Sequence, residues 1–76
     1  MNNRYEPIAC SLHDEYEIAI MHKKYLDIKW SGDGGEEYTD TVLPKDILVK
    51  DKAEFLVVNT RGNKEMCIRL DKITLL

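Results

Sequence analysis

The chain has 76 residues, a formal charge of −3 and 43% hydrophobic residues. A chain of this length makes one small domain, near the lower limit for folding without staples, and leaves little room for a deep catalytic pocket. A sequence pI of about 5.3 argues against nucleic acid as a partner, and two cysteines, Cys10 and Cys67, are too few for a disulfide framework and lack metal-ligand spacing. The first residues contain no apolar run of the signal-peptide kind, and nowhere does the sequence approach the roughly 20 apolar residues of a membrane span. These features lead to the expectation of a soluble cytoplasmic protein with reduced thiols, no membrane association and no cofactor.

Residues 1–10 read as an extended arm, because Pro7 excludes helix and biases Glu6 to an extended conformation. Residues 11–24 carry the one helical hydrophobic period. Leu12, Tyr16, Ala19 and Ile20 fall on one side at about 100° per residue, the stripe of a helix packed on a core. Nearly opposite lie Asp14, Glu17, Ile18 and Met21. Two apolar residues framed by two acids form a candidate docking surface, with Glu15 at its edge, although scattered apolar residues on a surface need no function. Ser11 followed by Asp14 suggests a capping box, and Lys23 and Lys24 are expected in the last turn, where they offset the helix dipole.

Residues 25–76 read as a small barrel. Leu26, Ile28 and Trp30 alternate with Asp27 and Lys29 in a first half-buried strand. Gly32-Asp33-Gly34-Gly35 is a turn, and a second strand runs from about residue 36 to 43, where Pro44 is expected to end it. Residues 45–52 form a charged connection with an apolar middle, either a short turn of helix or a brief strand. Phe55-Leu56-Val57-Val58 is continuous and apolar, as for a central strand covered on both faces. Arg61-Gly62-Asn63 is the next turn, Met66, Ile68 and Leu70 alternate in a fourth strand, and residues 73–76 form a short last one. One helix and about five strands give an α+β, mainly β, domain: a strongly bent five-stranded antiparallel sheet or open barrel plugged by the helix.

Charge is distributed unevenly. Residues 1–20 hold one base against four acids, and residues 27–40 one against five, whereas residues 45–76 hold seven bases against five acids. An acidic front repels nucleic acid and attracts basic protein surfaces. Catalytic readings fare poorly. His13 and His22 lack partners at metal-ligand spacing and are expected to be solvated or capping residues. A Cys10–His13 nucleophile would be opposed by Asp14 and Glu15, which disfavour the thiolate. The glycine turn has no following Lys-Ser/Thr or helix to make a phosphate loop. Nothing in the sequence points to an enzyme.

The stretches Tyr5-Glu6-Pro7-Ile8-Ala9-Cys10, Glu54-Phe55-Leu56-Val57-Val58 and Arg69-Leu70-Asp71-Lys72-Ile73, with the acidic helix after the first, resemble the Rho-binding antiterminator family, the bacterial Rof/YaeO proteins. The resemblance covers nearly the whole chain; the arm and the Arg-Leu-Asp-Lys-Ile ending are its most specific parts, and the glycine hairpin matches loosely. It implies an Sm-like fold and a protein that binds the RNA-binding N-terminal region of the hexameric termination factor Rho, blocks RNA loading and inhibits termination; the free chain is expected to be a monomer. It adds Asp46 as a contact to Asp14, Glu15, Glu17, Ile18 and Met21. The competing reading is an Sm-like RNA-binding protein, in which Arg61-Gly62-Asn63 would contact RNA.

Overall fold

The computed structural model describes residues 4–32 and 34–76; Asp33 of the glycine turn and the first three residues of the arm lie outside them. The described chain forms helix α1 (Cys10–Met21) and strands β1 (Leu26–Ser31), β2 (Glu37–Lys50), β3 (Ala53–Thr60), β4 (Glu65–Arg69) and β5 (Ile73–Leu75), with a single 3-10 turn, Leu70–Lys72, between the last two. The strands make one antiparallel sheet in the order β4-β3-β2-β1-β5. A flat five-stranded sheet would hold its edge strands about 19 Å apart, at about 4.8 Å per step. The 3-10 turn joining these two edges spans only about 6 Å, at about 2 Å per residue. The sheet therefore has to curl, and the result is the expected α+β, mainly β, architecture: a bent sheet that does not close, with the helix against it.

β2 does most of the bending. Its first half pairs with β1, from Glu37 opposite Ser31 to Val42 opposite Leu26, and its second half with β3, from Val42 opposite Thr60 to Lys50 opposite Ala53. Pro44 does not end this strand, contrary to the sequence expectation. The register with β3 shifts between Pro44 and Asp46, leaving Lys45 as the extra residue of a bulge, a place where the missing proline N–H is tolerated and the strand bends. The bulge also moves the inward-facing side from even to odd positions. Val42 and Pro44 are buried before it, and after it Ile47, opposite the fully buried Leu56, packs on the core. The charged connection is thus mostly strand, and only Asp51 and Lys52, both at positive φ (53° and 64°), form the hairpin turn.

The core comprises Tyr16, Ile28, Trp30, Val42, Leu56, Val58, Ile68, Leu70 and Ile73. In β1 the alternation holds, with Ile28 and Trp30 inside. In β3 it corrects the expectation of a doubly covered strand: Leu56 and Val58 are 0% exposed, whereas Phe55 and Val57 are half-buried on the other face. The Arg61-Gly62-Asn63 turn forms, with the left-handed position taken by Asn63 (φ 62°) rather than the glycine.

The helix begins at Cys10 without a capping box. Ala9 is the N-cap; its carbonyl accepts from the Leu12 and His13 amides at 3.1 and 3.0 Å, and no side chain caps the helix. Ser11 and Asp14 are already inside it. The cause is the arm, which stays extended up to Ala9 because it is docked. Tyr5 and Ile8 pack on the core, the Glu6 amide donates to Asp71 Oδ2 (3.0 Å), and Arg69 Nη2 donates to the Arg4 carbonyl (3.4 Å). Arg69 grips Asp71 through two bonds, Nε to Oδ1 at 2.7 Å and Nη2 to Oδ2 at 2.8 Å, and its guanidinium lies 5.9 Å from the Tyr5 ring centre. At the other end Lys23, at φ 52°, stops the helix; its amide donates to Ile20 and that of Lys24 to Ala19, the paired bonds of a Schellman ending. Both lysines therefore lie beyond the last turn, three residues short of the expected boundary.

Two consequences can be measured. Leu56→Ala should cost about 2–4 kcal/mol by opening a cavity, while Val57→Ala, on the half-buried face, should cost distinctly less; equal losses in denaturant unfolding would contradict the facing of β3. Burial pushes the Asp71 carboxyl up, but the Arg69 hydrogen bonds, the Glu6 amide and the Arg69 charge outweigh it, so its pKa falls below the ordinary 3.8. A depressed carboxylate stabilises the fold above its unfolded pKa, and that stability disappears as pH drops through the folded value. Asp71→Asn should therefore be less stable at neutral pH and should lose less on acidification below 3.8 than the unaltered chain. An unchanged acid profile would remove Asp71 from this role.

Candidate docking face on the helix and second strand

The packing of α1 determines what it shows outward. Tyr16 and Ala19 are buried, and Leu12 and Ile20 rest against the core, so the expected stripe faces the sheet. The opposite side is open: Asp14, Glu15 and Glu17 are exposed, Ile18 is 48% exposed and Met21 75%. Because α1 lies over β2 beside the bulge, a groove runs between them, lined by His13, Glu17, Ile20 and Met21 of the helix and Asp46 and Ile47 of the strand. Two carboxylates thus flank an apolar floor.

Of the six residues singled out in the sequence, the structure brings Glu17, Met21 and Asp46 into this one groove. Asp46 arrives there from 25 residues beyond the helix, and the Asp46 carboxylate accepts from the Ile47 amide at 2.8 Å. Asp14 sits beside the groove: one side-chain nitrogen or oxygen from each of His13, Asp14 and Glu17 lies within 4.8 Å of the others. Glu15 and Ile18 are on the exposed side of α1 but line no part of the groove.

Sequence reasoning misjudged His13. It is not a solvated residue but a bridge. Nδ1 lies 3.3 Å from Glu17 Oε1 one turn along the helix, and Nε2 lies 3.0 Å from Glu54 Oε2 on β3; Glu54 also accepts from the Tyr5 hydroxyl at 3.4 Å. The Glu54 hydrogen bond pushes the His13 pKa above its ordinary 6.5, burial opposes it, and the Glu17 bond and both carboxylate charges add to the rise. The i, i+4 spacing to Glu17 was a usable signal. No local signal points to Glu54, 41 residues away, or to Ile20 and Ile47, whose half-buried side chains serve the core and the groove together.

Away from this face, Tyr25, Thr41 and Arg61 line a shallow hollow, and a larger one is bordered by Trp30, Phe55, Met66 and the β4 edge. Neither contains any of those six residues; the first holds Arg61, the residue that the competing RNA-binding reading would use. Both cysteines are free and exposed, and no described helix is long and apolar enough to cross a membrane.

No family model matches the sequence. Among curated proteins the chain is similar to Protein rof of Escherichia coli (strain K12) and to Protein rof of Shigella flexneri, each 34% identical over 74 residues, which is 97% of this chain and 82% of the relative. The match takes in nearly the whole chain at this identity, and the chain belongs to the Rof family of Rho antiterminators.

Proposed function

We propose that this protein inhibits Rho-dependent transcription termination by laying its acidic helix face on the RNA-binding N-terminal region of Rho, so that RNA cannot load. Family membership supplies the connection to Rho, and the groove between α1 and β2 is the observation that carries the mechanism. A site that holds RNA needs cationic groups for phosphates and apolar or aromatic surface for bases. Glu17 and Asp46 beside Met21 and Ile47, with Asp14, Glu15 and Ile18 further along the helix, offer the complementary charge and apolar surface. In this reading the protein works by occupancy: it is no enzyme, needs no cofactor, acts as a monomer in the bacterial cytoplasm and does not itself bind nucleic acid.

Glu17→Lys gives up the exposed contact with His13, a loss of about 0–1 kcal/mol for a surface pair, and should keep the fold. It should weaken Rho binding at least about tenfold, which requires only about 1.4 kcal/mol from replacing an attractive charge with a repulsive one. Asp14 is now a clean second probe, because it is not part of the helix cap. Glu65→Lys on β4 should bind normally. Loss of binding in Glu65→Lys with retention in Glu17→Lys would move the docking surface to the sheet and overturn the assignment.

A further inference from the structure

His13 sits between two carboxylates that do different things. Glu54 belongs to the scaffold, on β3 and bonded to the Tyr5 hydroxyl, while Glu17 belongs to the groove. Carboxylates only accept hydrogen bonds. An imidazolium has two N–H donors and can serve both; a neutral imidazole has one N–H and one lone pair, and can serve a single carboxylate. Glu54 makes the shorter contact, 3.0 Å against 3.3 Å, so the remaining N–H goes to Glu54. The lone pair then faces Glu17, and the contact breaks.

We propose that His13 is a proton-operated clamp on the docking face, an inference that rests on the partner reading above. Charged, it ties Glu17 of the helix to Glu54 of the sheet and withholds the Glu17 carboxylate from a basic partner. Neutral, it releases Glu17, and the face gains one net negative charge at the same moment. Among the described residues, the titratable groups bonded to it or sharing its site are acids or neutral donors: Asp14 and Glu17 on α1, Glu54 on β3 with Tyr5 of the arm bonded to it, and Asp46 on β2 lining the same groove. Among the described residues no lysine or arginine lines the groove, so His13 is the cation that a partner's Lys or Arg would replace.

The clamp has a signature that simple loosening of the fold lacks. The His13 pKa is raised by folding, so its stabilising contribution is complete below the ordinary 6.5 and is lost as pH rises through the folded value. Binding to a basic partner runs the other way and strengthens over that same interval. Stability falls while affinity rises.

The test measures Rho binding by calorimetry between pH 6 and 8.5, in buffers of different ionisation heat that count the protons released. Affinity of the unaltered chain should rise about fivefold or more across that range, with a fraction of a proton released per complex as pH passes above 6.5. His13→Gln should bind at pH 6 as the unaltered chain does at pH 8, with no release attributable to the chain. Equal affinity at both ends of the range, or the same proton release from His13→Gln, would overturn the clamp while leaving Rho as the partner. Absence of binding at every pH would instead overturn the partner reading. The clamp itself is then decided by the NMR titration of the His13 ring, whose midpoint must drop in Glu17→Gln. An unchanged midpoint overturns it.

Discussion

The two-pronged contact between Arg69 and Asp71 fixes the course of the arm, and the position of the helix follows from it. Asp71 receives the Glu6 amide, Arg69 reaches the Arg4 carbonyl and lies near the Tyr5 ring. With the arm extended as far as Ala9, the helix can only start at Cys10, and its start sets the rotation that sends Tyr16 and Ala19 inward and Glu17 and Met21 outward. The pair is mostly buried, with side chains 18% and 11% exposed. Loss of one partner there would leave an ion with much of its solvation removed and its opposite charge gone. The two stretches that resemble the antiterminator family most specifically, the Tyr-x-Pro-Ile-x-Cys arm and the Arg-Leu-Asp-Lys-Ile ending, are thus the two halves of one contact. Their contact sets where α1 begins.

The second constraint is the bulge after Pro44. A strand of 14 residues that pairs with β1 along one half and with β3 along the other cannot keep a single plane. The extra residue at Lys45 supplies the bend and changes which side chains face inward. Ile47 thereby joins the core edge, and Asp46 comes to the groove under α1. The groove is therefore a product of fold geometry: helix side chains set by the arm meet strand side chains set by a proline bulge. Within it the carboxylates of Glu17 and Asp46 stand beside the apolar side chains of Ile20, Met21 and Ile47.

Much of this was legible in the residues. The period of Leu12, Tyr16, Ala19 and Ile20 identified the buried side of the helix, and by subtraction the exposed side with Glu17 and Met21. Alternation at Ile28 and Trp30 gave the facing of the first strand. What was not legible depended on long-range pairing. Pro44 carries a local stop signal, and only the register with β3 shows that the strand continues through it. The capping box at Ser11 and Asp14 was locally sound, but tertiary docking of the arm overrode it. His13 had a local partner in Glu17, whereas its stronger tie, to Glu54, crosses 41 residues and is visible only in the fold.

The central claim is that Rho covers the groove between α1 and β2. Amide hydrogen–deuterium exchange of the chain, alone and with Rho, tests it most directly, because it reads the covered surface without any substitution. The account requires new protection along residues 13–21 and 45–47, with residues 61–69 exchanging as in the free chain. Protection confined to the β4 edge, with the helix unaffected, would contradict it.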